Sequence, residues 1–433
     1  GSIYMSVSST IGTATFTNEG TLRVVNTTGG NLISSTTFTN AVSGVVNIEA
    51  TNGVHSILTV TNGFINSGQI LLDNTYAGAR NATLSVTNGT LTNASGGTIQ
   101  SSDAGTAGGI RYIDAVLDNQ LGGSITVDSA LTLNNTTAAH SNSGNIDIND
   151  VLVLDNFATF ANSGAINIAA GGRLTVLDGT LTSSTAILNA GSLLVDTNAT
   201  VNVNTAQTIA AGSALIVYHA STFNVAGALT NLGSVHLSVG GNLIATSIAN
   251  HGLINVRLTG STINGAFSNE LGGVLNVEAG DGNNNANLTI SSGFTNAGLI
   301  ELDVVDYPGT SGGTSSVVTL NVTGTLTNTG TITTLNTGGF DGTRVLNADV
   351  VNDATGIIDI AARSLTITGN VTSSGTIRVA AGQTLTIDGG VLTNTGTIEG
   401  DGIITFLNGA TIDNQGVIDA GGAGVVGAID ING

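Results

Sequence analysis

The sequence predicts an all-β fold, a right-handed parallel β-helix with about 20 to 27 residues per rung. Three observations carry that reading. Apolar residues alternate in short runs, as at Leu385 and Ile387 and again around Val391-Leu392 in the stretch from Thr384 to Gly400. Alternation of this kind puts side chains on opposite sides of a helix but on one face of a strand. The runs are punctuated by Gly and Asn, which make corners. Finally, one signature recurs down the chain: an apolar residue, any residue, Asn, a short spacer, Gly, any residue, then Ile, Val or Leu. It reads FTNEGTL from Phe16, FINSGQI from Phe64, FANSGAI from Phe160, IANHGLI from Ile248, FTNAGLI from Phe294, LTNTGTI from Leu326 and IDNQGVI from Ile412.

Each rung is expected to hold three short strands, exemplified by Leu288-Thr289-Ile290, Phe294-Thr295-Asn296 and Leu299-Ile300-Glu301-Leu302. Equivalent strands stack in parallel at about 4.8 Å, so roughly 17 to 20 rungs would make a rod of about 80 to 100 Å. The right hand follows from the rule for parallel crossovers. At the corner, Asn18, Asn66, Asn162, Asn250, Asn296, Asn328, Asn394 and Asn414 are expected to tolerate left-handed backbone and to hydrogen-bond rung to rung as an amide ladder. The Gly that follows would supply a second bend. Ser373 stands where Asn is expected, the corner lengthens after Asn93, Asn119 and Asn269, and one rung between Asn189 and Asn231 is degenerate, with Ile209-Ala210-Ala211-Gly212 in place of the motif.

Composition narrows the function classes. The 433 residues form one elongated domain rather than several globular ones, because a coil grows by adding rungs. The net charge is -20, and the eight basic residues are all Arg, dispersed along the chain. Nucleic acid and anionic lipid need clustered cations and are poor partners. No apolar run approaches the roughly 18 residues of a membrane span, so the chain reads as water-soluble. Without Cys there is neither a disulfide nor a thiolate site. The opening GSIYMSVSST lacks the basic start and apolar core of a signal peptide, and Gly1-Ser2 reads as a remnant of cloning. The closing VVGAIDING breaks off in the alternation of another rung, so the chain is expected to be a piece of a longer protein.

Insertions mark where function is expected. They follow the Ile-x-Leu strand and fall in two groups of three: Ala50 to Ser56, Asp73 to Ala82 and Ser101 to Arg111, then Ala279 to Asn287, Asp303 to Ser316 and Asn336 to Arg344. The chain thus divides into a loop-bearing segment over 50–116, a plain shaft over 121–275, a second loop-bearing segment over 279–345 and regular rungs over 346–433. The loops carry unusual side chains: Tyr76, Arg80, Arg111, Tyr112, Asp306, Tyr307, Phe340 and Arg344. Aromatic and Arg residues are favoured anchors at interfaces, which makes these eight the candidate binding residues. Calcium is the one cofactor the pattern invites, through Asp281, Asn283 and Asn285 at alternate positions with Asp303 and Asp306 from the neighbouring rung. The calcium-loop pattern is incomplete, since Ala286 and Ser292 occupy the places of its Gly and Glu.

Catalytic signatures are missing. His55, His140, His219, His236 and His251 share no metal-ligand spacing and read as single satisfied or exposed residues. No nucleophile elbow or phosphate loop occurs. Paired carboxylates such as Asp147 and Asp150 could flank a groove, the arrangement that glycoside hydrolysis uses.

The rungs LSVTNGTLTNASGGTIQ, from Leu84, and LNVTGTLTNTGTITTL, from Leu320, resemble the repeats of filamentous haemagglutinin-type adhesins and autotransporter passenger domains. That resemblance implies a right-handed β-helix exported by a bacterium and displayed at the cell surface. It carries over no functional residue, because the shared positions are corner Asn, Gly and core aliphatics. The leading expectation is a non-enzymatic adhesin or stalk segment that presents loops to a host or surface glycan or protein receptor. The alternatives are a self-associating filament, sheath or surface-layer protein, and a polysaccharide-acting β-helix enzyme.

Overall fold

The computed structural model describes residues 1–25, 30–51, 53–105, 108–135, 138–280, 284–305, 316–338, 342–419 and 430–432. The fold is all-β: parallel strands stack into a β-solenoid of about 19 turns, with no helix among the described residues. The chain divides into two compact units, Gly1–Thr208 and Ile209–Gly433. The dividing point falls at the degenerate rung that lacks the Asn signature.

In the first unit, nine parallel strands from Ser2–Ser6 to Leu188–Asn189 build one sheet, each the third strand of its rung. The first two strands of early rungs run together as Ser56–Asn66, Ala82–Asn93 and Arg111–Asn119. Later rungs separate them, as Leu131–Asn134 and Ala139–Asn142. The second unit repeats the scheme, with third strands such as Leu253–Arg257, Val274–Gly280 and Leu299–Val305 in parallel register. Alternation works as the sequence requires. Leu275, Val277, Ile300 and Leu302 are fully buried, while the Asn and Glu between them face outward. At ~25 cal/mol per Å² of apolar surface, these stacked aliphatics are the main stabilising term.

The Asn ladder is present and longer than the signature alone suggested. In the first unit each Asn Nδ2 donates to the Oδ1 of the next rung, through Asn18, Asn40, Asn66, Asn93, Asn119, Asn142 and Asn162, at 2.6 to 2.8 Å. The column ends where Asn162 donates to Ser183 Oγ at 2.7 Å, because the next rung offers Val203. In the second unit it runs through Asn231, Asn250, Asn269, Asn296, Asn328 and Asn352 at 2.7 to 2.8 Å, and Asn394 donates to Asn414 at 2.7 Å. Ser373 substitutes in kind, accepting from Asn352 at 3.1 Å. Steps along the ladder vary from 19 residues, Asn231 to Asn250, to 32, Asn296 to Asn328. The loops absorb the difference.

One expectation about the corner needs correction. No ladder Asn has a positive φ, so these residues act through their amides and not through left-handed backbone. The motif Gly does sit at a bend, as at Gly68 and Gly298, and clearance is what demands glycine there. A Cβ on Gly68 would lie 2.2 Å from the Gly44 carbonyl oxygen, and one on Gly298 would lie 2.2 Å from that of Gly273. Backbone passes too close beneath these glycines for any side chain.

Candidate functional site

The six insertions all occupy the corner after the third strand. In the first unit they lie between Val45–Ala50 and Ser56–Asn66, between Gln69–Asn74 and Ala82–Asn93, and between Thr98–Ser101 and Arg111–Asn119. In the second they follow Val274–Gly280, Leu299–Val305 and Thr331–Thr334. Because successive rungs stack, three successive insertions make one patch of neighbouring loops.

Hydrogen bonds knit the first patch together. His55 Nδ1 accepts from the Asn81 amide at 2.9 Å, and Asn81 Oδ1 accepts from the Ile110 amide at 3.0 Å, linking all three loops. Asn74, buried at the base of the second loop, donates to Asp103 Oδ1 at 3.2 Å and to the Gly108 carbonyl at 3.0 Å. Tyr76 is 38% exposed and packs against Gly53, where a Cβ would reach within 3.6 Å of its ring. The Arg80 guanidinium carbon stands 5.7 Å from the same ring, and its Nε donates to the Gly53 carbonyl. Tyr76 and Arg80 are therefore placed together at the surface, where a partner could reach them.

Arg111 and Arg344 behave otherwise. Both are fully buried, so neither presents a guanidinium to solvent. Arg111 opens the strand Arg111–Asn119, whose buried positions alternate from Arg111 itself through Ile113, Ala115 and Leu117. Its Nη1 donates to the Gly109 carbonyl at 2.7 Å, its Nη2 to the Ser102 carbonyl, and Asp103 stands 3.3 Å away. Burial pulls its pKa below the usual arginine value, and the Asp103 carboxylate opposes that shift. Arg344 makes the same grip, with Nη1 to the Gly342 carbonyl at 2.6 Å and Nη2 to the Leu335 carbonyl. In each case the second carbonyl belongs to the residue nine positions earlier. These two arginines hold a loop closed from within and are not surface anchors. Tyr112, next to Arg111, is half-buried on the outer strand face, in register with Thr83 and Thr132. Asp306, Tyr307 and Phe340 lie outside the described residues, as do Asp281 and Asn283.

The described strands beneath the two patches are alike, a relation the repeat signature does not reveal. Val45-Val46-Asn47-Ile48-Glu49-Ala50 matches Val274-Leu275-Asn276-Val277-Glu278-Ala279. Glu49 lies in register with Asp73, and Glu278 with Asp303. Each first loop is pinched by an isolated antiparallel bridge, Thr51 to Val54 and Gly280 to Asn284. Asp73 accepts from Ser102 Oγ at 2.7 Å and the Ala104 amide at 3.1 Å, and Asp303 from Thr337 Oγ1 at 2.6 Å and its amide at 3.1 Å. Ser101 and Thr334 each pass a hydroxyl to a carbonyl of the next rung at 2.6 Å. Each buried Glu carries an Arg at 2.7 Å, Arg23 on Glu49 and Arg257 on Glu278. The hydrogen bond from Arg23, opposed by burial, holds the Glu49 carboxyl below the usual range.

Of the calcium candidates, only Asn285 and Asp303 lie among the described residues. Asp303 is 3% exposed with both oxygens engaged by Thr337, and Asn285 Oδ1 accepts from the Val317 amide at 2.8 Å. Among the described residues no group of three or more His, Asp or Glu is placed to hold a metal ion.

The fold is a β-solenoid with insertions at the same corner in both units, flanked by matching strands. No family model matches the chain, and no curated protein matches it. Among solved structures it is similar to a TibC-catalysed, hyper-glycosylated TibA55-350 fragment, with 14% identity over 96% of this chain and 100% of that chain. The TM-score of that pairing is 0.17, too low for the likeness to bear on fold or function.

Proposed function

We propose that the chain is a non-enzymatic segment of a surface-displayed or secreted bacterial β-solenoid, an adhesin or stalk whose loop patches engage a glycan or protein receptor. One observation carries this reading: the same strand pattern beneath the insertions, with its Glu–Arg pair and its buried Arg, recurs in both units. A tolerated insertion has no reason to recur with the same carboxylates and the same internal Arg. A recognition surface does, because its loops must hold one shape to bind. Tyr76 and Arg80 supply the aromatic and cationic groups that such surfaces favour.

The test replaces residues 51–55, 75–81 and 102–110 with short Asn-Gly turns, then does the same in the second unit, and compares binding to arrays of glycans and matrix proteins. With Arg111→Met and Arg344→Met added, because the deletions remove the carbonyls around those buried guanidinium groups, binding should fall with one patch removed and vanish with both, while light scattering and the β-sheet circular dichroism stay unchanged. Full binding by the double variant would overturn the proposal. Self-association without array binding would favour the filament alternative, and release of reducing sugar ends would favour an enzyme.

A further inference from the structure

The first loop patch holds a cation that the fold positions but does not neutralise. Among the described residues Arg23 pairs with Glu49, Arg111 with Asp103, Arg257 with Glu278 and Arg378 with Glu399, whereas no carboxylate meets Arg80. Neutral groups fix its place instead. Nε donates to the Gly53 carbonyl, Nη1 donates to the Ala79 carbonyl at 2.7 Å, and the guanidinium carbon stands 5.7 Å from the centre of the Tyr76 ring. A guanidinium has five N–H groups, so three remain, two of them on Nη2.

The acids nearby are already engaged. Asp73 is buried and accepts from Ser102 Oγ and the Ala104 amide, and Asp103 faces Arg111 while accepting from Asn74 and the Gly108 amide. Asp128 belongs to a rung two steps beyond the Tyr76 loop, about 10 Å along the stack. Its two oxygens accept from Gln100 Nε2 at 2.8 Å and Asn149 Nδ2 at 2.7 Å. Charges are screened over about 8 Å at physiological salt, so the rest of the net charge of -20 is weakly felt here. The patch therefore presents a fixed cation without a fixed anion.

The groups beside Arg80 are donors as well. His55 is exposed, and because its Nδ1 accepts from the Asn81 amide at 2.9 Å, the ring N–H is on Nε2, which meets no acceptor among the described residues. The Tyr76 hydroxyl makes no hydrogen bond either, and the residue is 38% exposed. A carboxylate suits the free N–H groups of a held guanidinium, since its two oxygens can accept from both nitrogens at once. Its carrier follows from the remaining surface. A protein partner buries apolar side chains at the centre of a contact, but the exposed residues here are small or polar, such as Thr75, Ala77, Ala79 and Ala104, with Ile110 the large aliphatic at the rim. We infer that the first patch binds a carboxylate-bearing sugar, with Arg80 holding the carboxylate and His55 and Tyr76 donating to ring hydroxyls. This rests on the reading of the loops as the binding surface and narrows it to one ligand class at one patch.

Calorimetric titration of the intact chain with oligosaccharides of hyaluronan and polygalacturonate and with sialyllactose, each against its methyl ester, tests the inference. At least one acid form should bind about tenfold tighter than its ester. Arg80→Gln should erase that preference, and so should removal of residues 51–55, 75–81 and 102–110 with Arg111→Met. Raising salt from about 0.05 to about 0.5 M should shrink the preference in the parent, a reading that needs no variant to fold. The inference is overturned if every ester binds as tightly as its acid, if Arg80→Gln folds and keeps the preference, if salt leaves it unchanged, or if it survives loop removal. Tighter binding of a sulfated galactan without carboxylates, or of an oligoglutamate peptide, than of every acid sugar would also refute it. Neutral glycans or matrix proteins that bind and are lost with the loops, while acid and ester bind alike, would leave the adhesin reading standing and remove this one.

Discussion

His140 offers the sharpest test of the packing described above. It sits in register with Phe160, in the slot that Phe38 and Phe64 fill in earlier rungs, and is 2% exposed. Its ring centroid lies 5.9 Å from that of Phe160 and 6.3 Å from that of Phe157. Nδ1 accepts from the Leu117 amide at 3.1 Å, and Nε2 is buried without a partner. Burial pushes the imidazole pKa from 6.5 down to about 4. Because the folded value is depressed, the unfolded chain binds the proton first. Folding is then unaffected well above pH 6.5 and loses stability as pH falls from there toward about 4. Two and a half units at 1.36 kcal/mol each give a limiting loss of about 3 kcal/mol, of which about 2 kcal/mol is reached by pH 5. Carboxylates titrate over the same range, so the assay must be a difference. The informative variant is His140→Gln, which keeps an acceptor for the Leu117 amide without the titration. Gln207 already does this in the same unit, taking the Ile187 amide at 3.0 Å. Urea midpoints for parent and variant should agree at pH 8 to within about 1 kcal/mol and diverge by about 2 kcal/mol at pH 5, with the variant more stable. Exchange of the Leu117 amide should accelerate in the parent alone. If the two proteins lose stability in parallel, or if His140 titrates in NMR near 6.5, the burial argument fails.

Two further outcomes follow from the same geometry. Asn66→Leu removes an amide that is 0% exposed and that links Asn40 to Asn93, so it should cost about 2–4 kcal/mol, whereas Asn414→Ala, at an exposed position, should cost under about 1 kcal/mol; chemical denaturation distinguishes them. Arg111→Met fills much the same space but releases the Ser102 and Gly109 carbonyls, so proteolysis within residues 102–110 should speed up at least about tenfold while the rungs keep their hydrogen-exchange protection.

Much of this was legible in the sequence because a coil is a local object. The signature places Asn296 three residues before Leu299, and the alternation around Leu385 and Ile387 names the core without knowledge of the partners. The loop corner was legible for the same reason, since insertions interrupt a regular beat. The roles of the two buried arginines were not, although a signal existed. Arg111 is two residues before Ile113 and Arg344 two before Leu346, so each shares the parity of the inward-facing residues. Charge argues against parity in a sequence, because a buried guanidinium is costly unless carbonyls surround it, and here the loop supplies them. His140 follows the same logic, standing two before Asn142 as Phe160 stands two before Asn162. The duplication of the loop patches was hidden by unequal loop lengths, which break the sequence match between their matching strands.

The amide ladder has an orientation as well as a length. Its Asn amides donate toward the later rung, and those inside a column accept from the earlier one, so the side-chain dipoles within each unit all point one way. Aligned amides polarise their neighbours, and each bond strengthens the next. The column therefore responds as a coupled chain instead of a set of independent links: breaking Asn66 and Asn93 together should cost less than the sum of breaking each. Serine suits the places where the polarity stops, since Ser183 receives from Asn162 and hands its own proton to the Thr185 carbonyl at 2.7 Å, turning the current of donors back into the backbone.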